Sequence, residues 1–231
     1  MSAGKPRDRS GDQRGVSTAQ ILLVVGAAVL ATALLIVLNS GRLRQASGGA
    51  LPYQTGITQD GRPQKGAPDA PLKLILYSDF MCGHCADLAA TLEALSPDYV
   101  ETGKLEVVFY NFAFLTPESI QAANASLCAL DQNPAAFWRY HDLLFASRPG
   151  GAVAYSNSRL KEYGRALGLD TTAFDKCFHA DAKATQVQSD LAAGRQQGVE
   201  GTPTWFLNGQ RHAGSMSESD LRQLFEDTLK K

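Results

Sequence analysis

The sequence predicts an α/β fold, and three observations carry the prediction. The run Lys73-Leu74-Ile75-Leu76-Tyr77-Ser78-Asp79-Phe80 passes within a few residues into the Ala/Leu-rich stretch Ala86 to Leu95, the pattern of a buried strand feeding a helix. A second apolar run, Leu105 to Phe112, completes a βαβ unit, and a ββα unit closes the chain. Between the two lies a long Ala-rich region, about residues 117–197, of helical composition. The elements therefore read βαβ, helices, ββα, the order of a two-layer α/β domain carrying a helical insertion.

Taken in order, the chain opens on a basic stretch containing Lys5, Arg7, Arg9 and Arg14. From Gly15 to Gly41 no charge occurs, and Ile21 to Leu38 is almost wholly apolar, long enough at ~1.5 Å per residue to cross a bilayer. A transmembrane anchor is expected over residues 20–38. Only Arg42 and Arg44 follow it closely, so the positive-inside bias keeps residues 1–19 cytoplasmic and exports the rest of the chain. A cleaved signal peptide is the alternative, but its apolar core usually runs ~7–15 residues. Asn39 to Pro71 holds six Gly and four Pro without periodicity, and residues 39–65 read as a flexible linker ahead of a folded domain at 66–231. Within that domain the closing elements are Thr204 to Leu207, Arg211 to Gly214 across an Asn208-Gly209 turn, and the helix Glu218 to Leu229.

Twenty-two basic and 23 acidic side chains with only short charge runs provide no field to concentrate nucleic acid, and no nucleic-acid partner is expected. The chain also needs no dense disulfide framework at this length. Its four cysteines therefore call for a more specific explanation.

Cys82-Gly83-His84-Cys85 sits where the first strand turns into its helix. The i, i+3 spacing puts both sulfurs on one helical face, close enough to open and close a disulfide. Cys82, ahead of the helix, meets unpaired N–H groups and the macrodipole that favour a thiolate; Cys85 lies a turn inside and is shielded. In this reading Cys82 attacks, Cys85 resolves and His84 stabilises the thiolate, and comparable settings bring cysteine pKa values to ~3.5–7.5. A low pKa also makes Cys82 a good leaving group. A lone C-x-x-C is shared with static disulfides and with zinc half-sites. Zinc would need a second ligand pair, and Cys128 and Cys177, with His179 the only nearby histidine, meet the tetrahedral pattern poorly. No metal and no cofactor are expected.

Gly198-Val199-Glu200-Gly201-Thr202-Pro203-Thr204-Trp205-Phe206 places a proline at the entry to an apolar strand, where its missing N–H is normally unwelcome. A cis Thr202-Pro203 bond would leave the Thr202 backbone free to pair with an extended peptide; an ordinary trans turn is the alternative. His141, His179 and His212 show no partner pattern, and Phe137, Trp138 and Tyr140 fall at helical spacing with Leu143 and Leu144, as core residues do. Asp79 either tunes the cysteine pair or simply prepares the helix entry.

Three stretches together resemble the DsbA-like thiol-disulfide oxidoreductases of the thioredoxin superfamily: Gly66-Ala67-Pro68-Asp69-Ala70-Pro71, Ser78-Asp79-Phe80-Met81-Cys82-Gly83-His84-Cys85, and Val199 to Gly209. The helical region is also similar, in Ala125-Ser126-Leu127-Cys128-Ala129 and in Phe137 to Phe145. The resemblance spans about 66–231. It implies a thioredoxin fold with a helical insertion, a cis bond at Pro203, and Thr202 and Pro203 as the substrate-binding pair. It further implies a bacterial, membrane-anchored, extracytoplasmic and monomeric enzyme that oxidises thiols of unfolded exported proteins through a mixed disulfide at Cys82. Its reoxidant would be a quinone-linked membrane protein of the DsbB or vitamin-K-epoxide-reductase type.

Many members carry proline where this chain has Gly83, and Gly-His resembles the dipeptide of the protein disulfide isomerases. Isomerase or reductase activity is therefore the first alternative, and a tethered peptide-binding chaperone is one from another class. In an exported protein the even pair Cys128 and Cys177 is expected to form a structural disulfide, with free thiols or a second redox pair as the other options. Closing that loop would contribute about 4 kcal/mol in the chain-entropy model.

Overall fold

The computed structural model describes residues 50–230. The expected anchor at 20–38, the cytoplasmic segment before it and the first part of the linker lie outside the described residues. Among the described residues no helix is long and apolar enough to cross a membrane.

The sheet is built on β3 (Leu72–Ser78) and β4 (Leu105–Asn111), which run parallel with Leu74 opposite Val107 and Leu76 opposite Phe109. Strict alternation sends Leu72, Leu74 and Leu76 into the main core, while Ile75 faces out at the same strand's other surface. The connection between these strands is α1 (Gly83–Ala94) followed by the short α2 (Ser96–Tyr99). Leu88 and Leu92 of α1 are buried beside Cys85, so the active-site helix presents one face to the core.

β5 (Thr204–Leu207) pairs antiparallel with β3, setting Trp205 opposite Leu76, and β6 (Gln210–Ala213) returns across the Asn208-Gly209 turn. Both turn residues have positive φ, as a tight hairpin requires. Helix α8 (Glu218–Leu229), capped by the Ser217 hydroxyl, buries Leu221 and Phe225.

The Ala-rich region resolves into α3 (Pro117–Leu130), α4 (Pro134–Ser147), a 3₁₀ segment (Arg148–Tyr155), α5 (Asn157–Ala166), α6 (Thr171–His179) and α7 (Ala184–Gln196). The breaks follow the capping chemistry. The Thr116 hydroxyl accepts from Ser119 N, Asn133 from Ala136 N, and Asp170 from Thr172 N and Ala173 N. Pro117 and Pro134 occupy first-turn positions where a missing N–H costs nothing. A disulfide joins Cys128 of α3 to Cys177 of α6, with Cα atoms 5.8 Å apart.

Between sheet and insertion lies an aromatic core of Phe80, Phe109, Phe137, Trp138 and Phe145 around the buried His141. The His141 Nδ1 meets the Asp142 carboxylate at 2.8 Å, and burial lowers its pKa.

One expectation needs correction. Residues 39–65 do not remain a linker to their end, because β1 (Thr55–Ile57) and β2 (Pro63–Lys65) extend the sheet to the order β1-β2-β4-β3-β5-β6. Tertiary contacts hold these two short strands. Arg62, its side chain only 8% exposed, donates from Nε to the fully buried Asp190 at 2.8 Å, and the other Asp190 oxygen accepts from Asn111 N at 3.0 Å. Lys65 lies over the rings of Trp138 and Tyr53, at 4.8 and 5.3 Å. Trp138 Nε1 donates to Gln64 O at 3.0 Å. Gly66, at φ +94°, ends β2 where a Cβ would collide with the Leu105 carbonyl, so only glycine fits. The folded domain therefore begins ahead of Gly66.

Candidate active site

Cys82 is the N-cap of α1, in extended conformation (φ −78°, ψ 128°), so its side chain stands at the open end of the helix. It is half-buried, whereas Cys85, one turn on, is 1% exposed; both are free thiols. The asymmetry follows from position alone: the N-cap projects outward and the third helical residue inward.

The surroundings separate the two sulfurs chemically. The Cys82 pKa is lowered from 9.0 to about 5, first by the hydrogen bond from the Cys85 thiol. The Thr202 side chain and the N–H groups of Cys85 and His84 lower it further, against the opposing effect of burial. Cys85 moves the other way: burial, then its bond to Cys82, pushes its pKa far up. At neutral pH the reduced pair therefore holds one thiolate, at Cys82, and one thiol, at Cys85.

This yields a pH prediction with a definite sign. The folded pKa of Cys82 lies below its ordinary value, so the thiolate's stabilisation of the reduced protein is fully present above about pH 9, shrinks as pH falls from there and is gone below about 5. The oxidised protein has no such titration. Iodoacetamide trapping of the reduced protein should show a rate rising with a midpoint near pH 5 and flat by about pH 7, with label on Cys82 alone. A midpoint above about 8 would contradict the assignment.

The sequence-predicted residues come together unequally. The Thr202-Pro203 bond is cis, and Thr202 O lies 3.3 Å from Cys82 Sγ, where it accepts from the protonated thiol, across 120 residues of chain. His84 is in the turn, but its ring is exposed and directed to the Asp87 carboxylate, one helical turn on, at 3.6 Å. What it gives Cys82 is its backbone N–H. Cys128 and Cys177 are joined to each other in the insertion, a state in which neither sulfur is a thiolate ligand. Among the described residues no cluster of His, Cys, Asp or Glu could hold a metal ion.

Three further residues hold the turn. Asp79, 1% exposed, accepts from Met81 N at 2.9 Å, Phe114 N at 3.0 Å and Leu115 N at 3.2 Å, tying the redox turn to the loop after β4. The Tyr155 hydroxyl lies 3.0 Å from Phe80 O and 2.7 Å from Leu144 O. Arg148, at the end of α4, donates from Nε to Met81 O at 3.3 Å and lays its guanidinium against Gly83. The acid at the strand end was the visible signal for Asp79; nothing in the sequence marked Tyr155 or Arg148.

Comparison with known proteins agrees with this geometry. A family model described as Thioredoxin matches residues 58–227. The chain is 26% identical over 172 residues to a probable disulfide bond formation protein D from Bacillus anthracis, covering 72% of this chain and 77% of that protein. It is 30% identical over 171 residues to the Na(+)/H(+) antiporter NhaA 3 of Salinispora tropica, where the match takes in 73% of this chain but spans only 25% of the antiporter. Among solved structures, oxidised BdbD from Bacillus subtilis superposes with a TM-score of 0.67 at 21% identity, covering 78% of this chain and 99% of that one. With its redox turn at a strand-to-helix junction and a cis-proline loop facing it, the chain belongs to the thioredoxin family and is a DsbA-like member of that superfamily.

Proposed function

We propose that the chain is a protein thiol-disulfide oxidoreductase acting mainly as an oxidase on unfolded, exported proteins. The observation that carries this reading is the split between the two cysteines: a half-exposed sulfur stabilised as thiolate at Cys82 and a buried, protonated one at Cys85. Stabilising the thiolate favours the reduced protein, and so makes the Cys82-Cys85 disulfide readier to be given away.

In the working cycle a client thiolate attacks Sγ of Cys82 in the Cys82-Cys85 disulfide. The client-Cys82 bond forms, the Cys82-Cys85 bond breaks, and the electron pair leaves on Cys85, which takes a proton. A second client thiolate then attacks the client sulfur of the mixed disulfide, expelling Cys82 as thiolate. Two electrons have passed to the protein and one disulfide to the client. Side chains carry the whole exchange, without a cofactor.

The cis-Pro203 loop with Thr202 would receive the extended client backbone. Phe114 and Leu115, 41% and 45% exposed beside the Asp79-bound loop, offer apolar contact to an unfolded chain. The disulfide bond formation protein D relatives support this direction of transfer. A quinone-linked membrane protein of the DsbB or vitamin-K-epoxide-reductase type would remove the two electrons. The enzyme would work as a monomer, its catalytic domain outside the bacterial cell membrane and tethered by residues 20–38. The Cys128–Cys177 bridge, joining two helices of the insertion, is assigned a structural role.

The Gly83-His84 dipeptide keeps isomerase activity as a second reading. The reduction potential decides, measured on the full chain in glutathione buffers with thiol alkylation and mass readout. A value near ~−120 mV supports disulfide donation, one near ~−270 mV makes the protein a reductase, and one near ~−180 mV favours isomerase.

A further inference from the structure

Arg148 is delivered to the redox turn by the helical insertion, far from it in sequence. Its guanidinium lies against Gly83: a Cβ built there would stand 2.8 Å from Nη2 and 3.3 Å from Cζ. Its Nε holds the carbonyl of Met81 at 3.3 Å. The side chain thus grips the residues on either side of Cys82 and sets a permanent charge one residue from the nucleophile, since guanidinium does not deprotonate in proteins. The other charged or titratable groups of the turn are otherwise engaged. Asp79 accepts three backbone N–H groups, His84 faces Asp87, and Cys85 is buried.

We propose that Arg148 is a positioning residue of the redox turn, whose guanidinium, seated on Gly83, stabilises the Cys82 thiolate and so raises the oxidising power of the Cys82-Cys85 pair. The seat exists only because residue 83 lacks a side chain, so the glycine and the arginine form one device. A Cβ at 83 must shift the Nη2 end of the arginine, and a longer side chain must shift it further. The proposal rests on Cys82 being the nucleophile.

The test uses the full chain and four variants: Arg148→Met, Arg148→Lys, Gly83→Ala and the double Arg148→Met with Gly83→Ala. Two quantities are read, the pH midpoint of Cys82 alkylation and the equilibrium constant with glutathione. A unit charge seated on the residue next to a half-exposed thiolate is worth about three- to tenfold, so Arg148→Met should raise the midpoint by about half to one pH unit. The glutathione equilibrium should move by the same factor toward the protein disulfide. Arg148→Lys should restore most of both, which a purely structural arginine would not allow, since lysine lacks the planar fork. Gly83→Ala should move both quantities in the same direction as Arg148→Met by a smaller factor, and add nothing to it in the double variant.

An unchanged midpoint and equilibrium in Arg148→Met overturn the proposal. Should that variant unfold, an unchanged midpoint in Gly83→Ala overturns it equally. Mass mapping separates this from the parent reading: label on Cys85 in place of Cys82 in the wild type would sink the functional assignment itself, whereas label on Cys82 that ignores Arg148 sinks only this one.

Discussion

Replacing Cys82 by serine should abolish catalysed thiol oxidation, a loss on the order of 10³-fold or more, because the only sulfur of the pair open to a client is gone. Cys85→Ser should fail differently. Cys82 can still join a client or glutathione sulfur, but no neighbouring thiol releases it, so a mixed disulfide should accumulate and run as a higher band on a non-reducing gel. The paired outcome follows from burial, since Cys85 at 1% exposure cannot take over the attack. Oxidation surviving in Cys82→Ser would refute the mechanism. If the wild type oxidised nothing while both it and Cys82→Ser suppressed aggregation of an unfolded protein, the chaperone reading would replace it.

Breaking the Arg62–Asp190 pair should have the largest effect on stability. Asp190 accepts from Arg62 and from Asn111 N with no solvent access, so Asp190→Leu leaves the buried Asn111 N–H unpaired and takes from the buried Arg62 cation its buried carboxylate, leaving it the exposed Asp60 and the Ser189 hydroxyl. The expected loss is about 3–5 kcal/mol in urea unfolding followed by tryptophan fluorescence, with Trp138 and Trp205 as buried reporters. Burial nonetheless pushes the Asp190 carboxyl up to about 6, outweighing the Asn111 N–H and the Arg62 charge. The pair as a whole therefore adds little beyond satisfying itself, and Arg62→Met combined with Asp190→Leu should recover the part of the loss that comes from the stranded Arg62 charge, the Asn111 N–H staying unpaired. A double variant as unstable as Asp190→Leu alone would contradict this account. Truncation at Gly66 removes Arg62 and the strands β1 and β2, and should be destabilised like the single variant.

That same pair explains where the sequence was least legible. β3, β4 and β5 announce themselves through apolar runs, and the redox turn through the spacing of Cys82 and Cys85. β1 and β2 carry no such pattern: Thr55-Gly56-Ile57 and Pro63-Gln64-Lys65 are short, polar and set among glycines and prolines. Their order comes from partners many residues away, Asp190 and Trp138, and a buried lysine read locally is indistinguishable from an exposed one. The helical insertion was visible as composition, while its division into helices depended on single capping residues such as Thr116, Asn133 and Asp170. At the site, the cysteines were legible because their spacing is local, whereas the cis bond at Pro203 was implied by the family resemblance and not by the Thr-Pro step itself. His84 was read as a side chain, yet it contributes through its backbone. Arg148 and Tyr155 could not be read at all, since only the folded insertion brings them to the turn.

The single open sulfur has a kinetic consequence. Anything that discharges the protein and anything that reloads it must use the same small window at Cys82, because Cys85 is walled in and the turn is pinned by Asp79 and Tyr155. Donor and acceptor cannot be held together, so turnover is a strict alternation of half-reactions. On the proposed cycle, reciprocal plots at several fixed levels of reoxidant should form parallel lines, and an excess of either partner should inhibit the other by occupying the shared doorway.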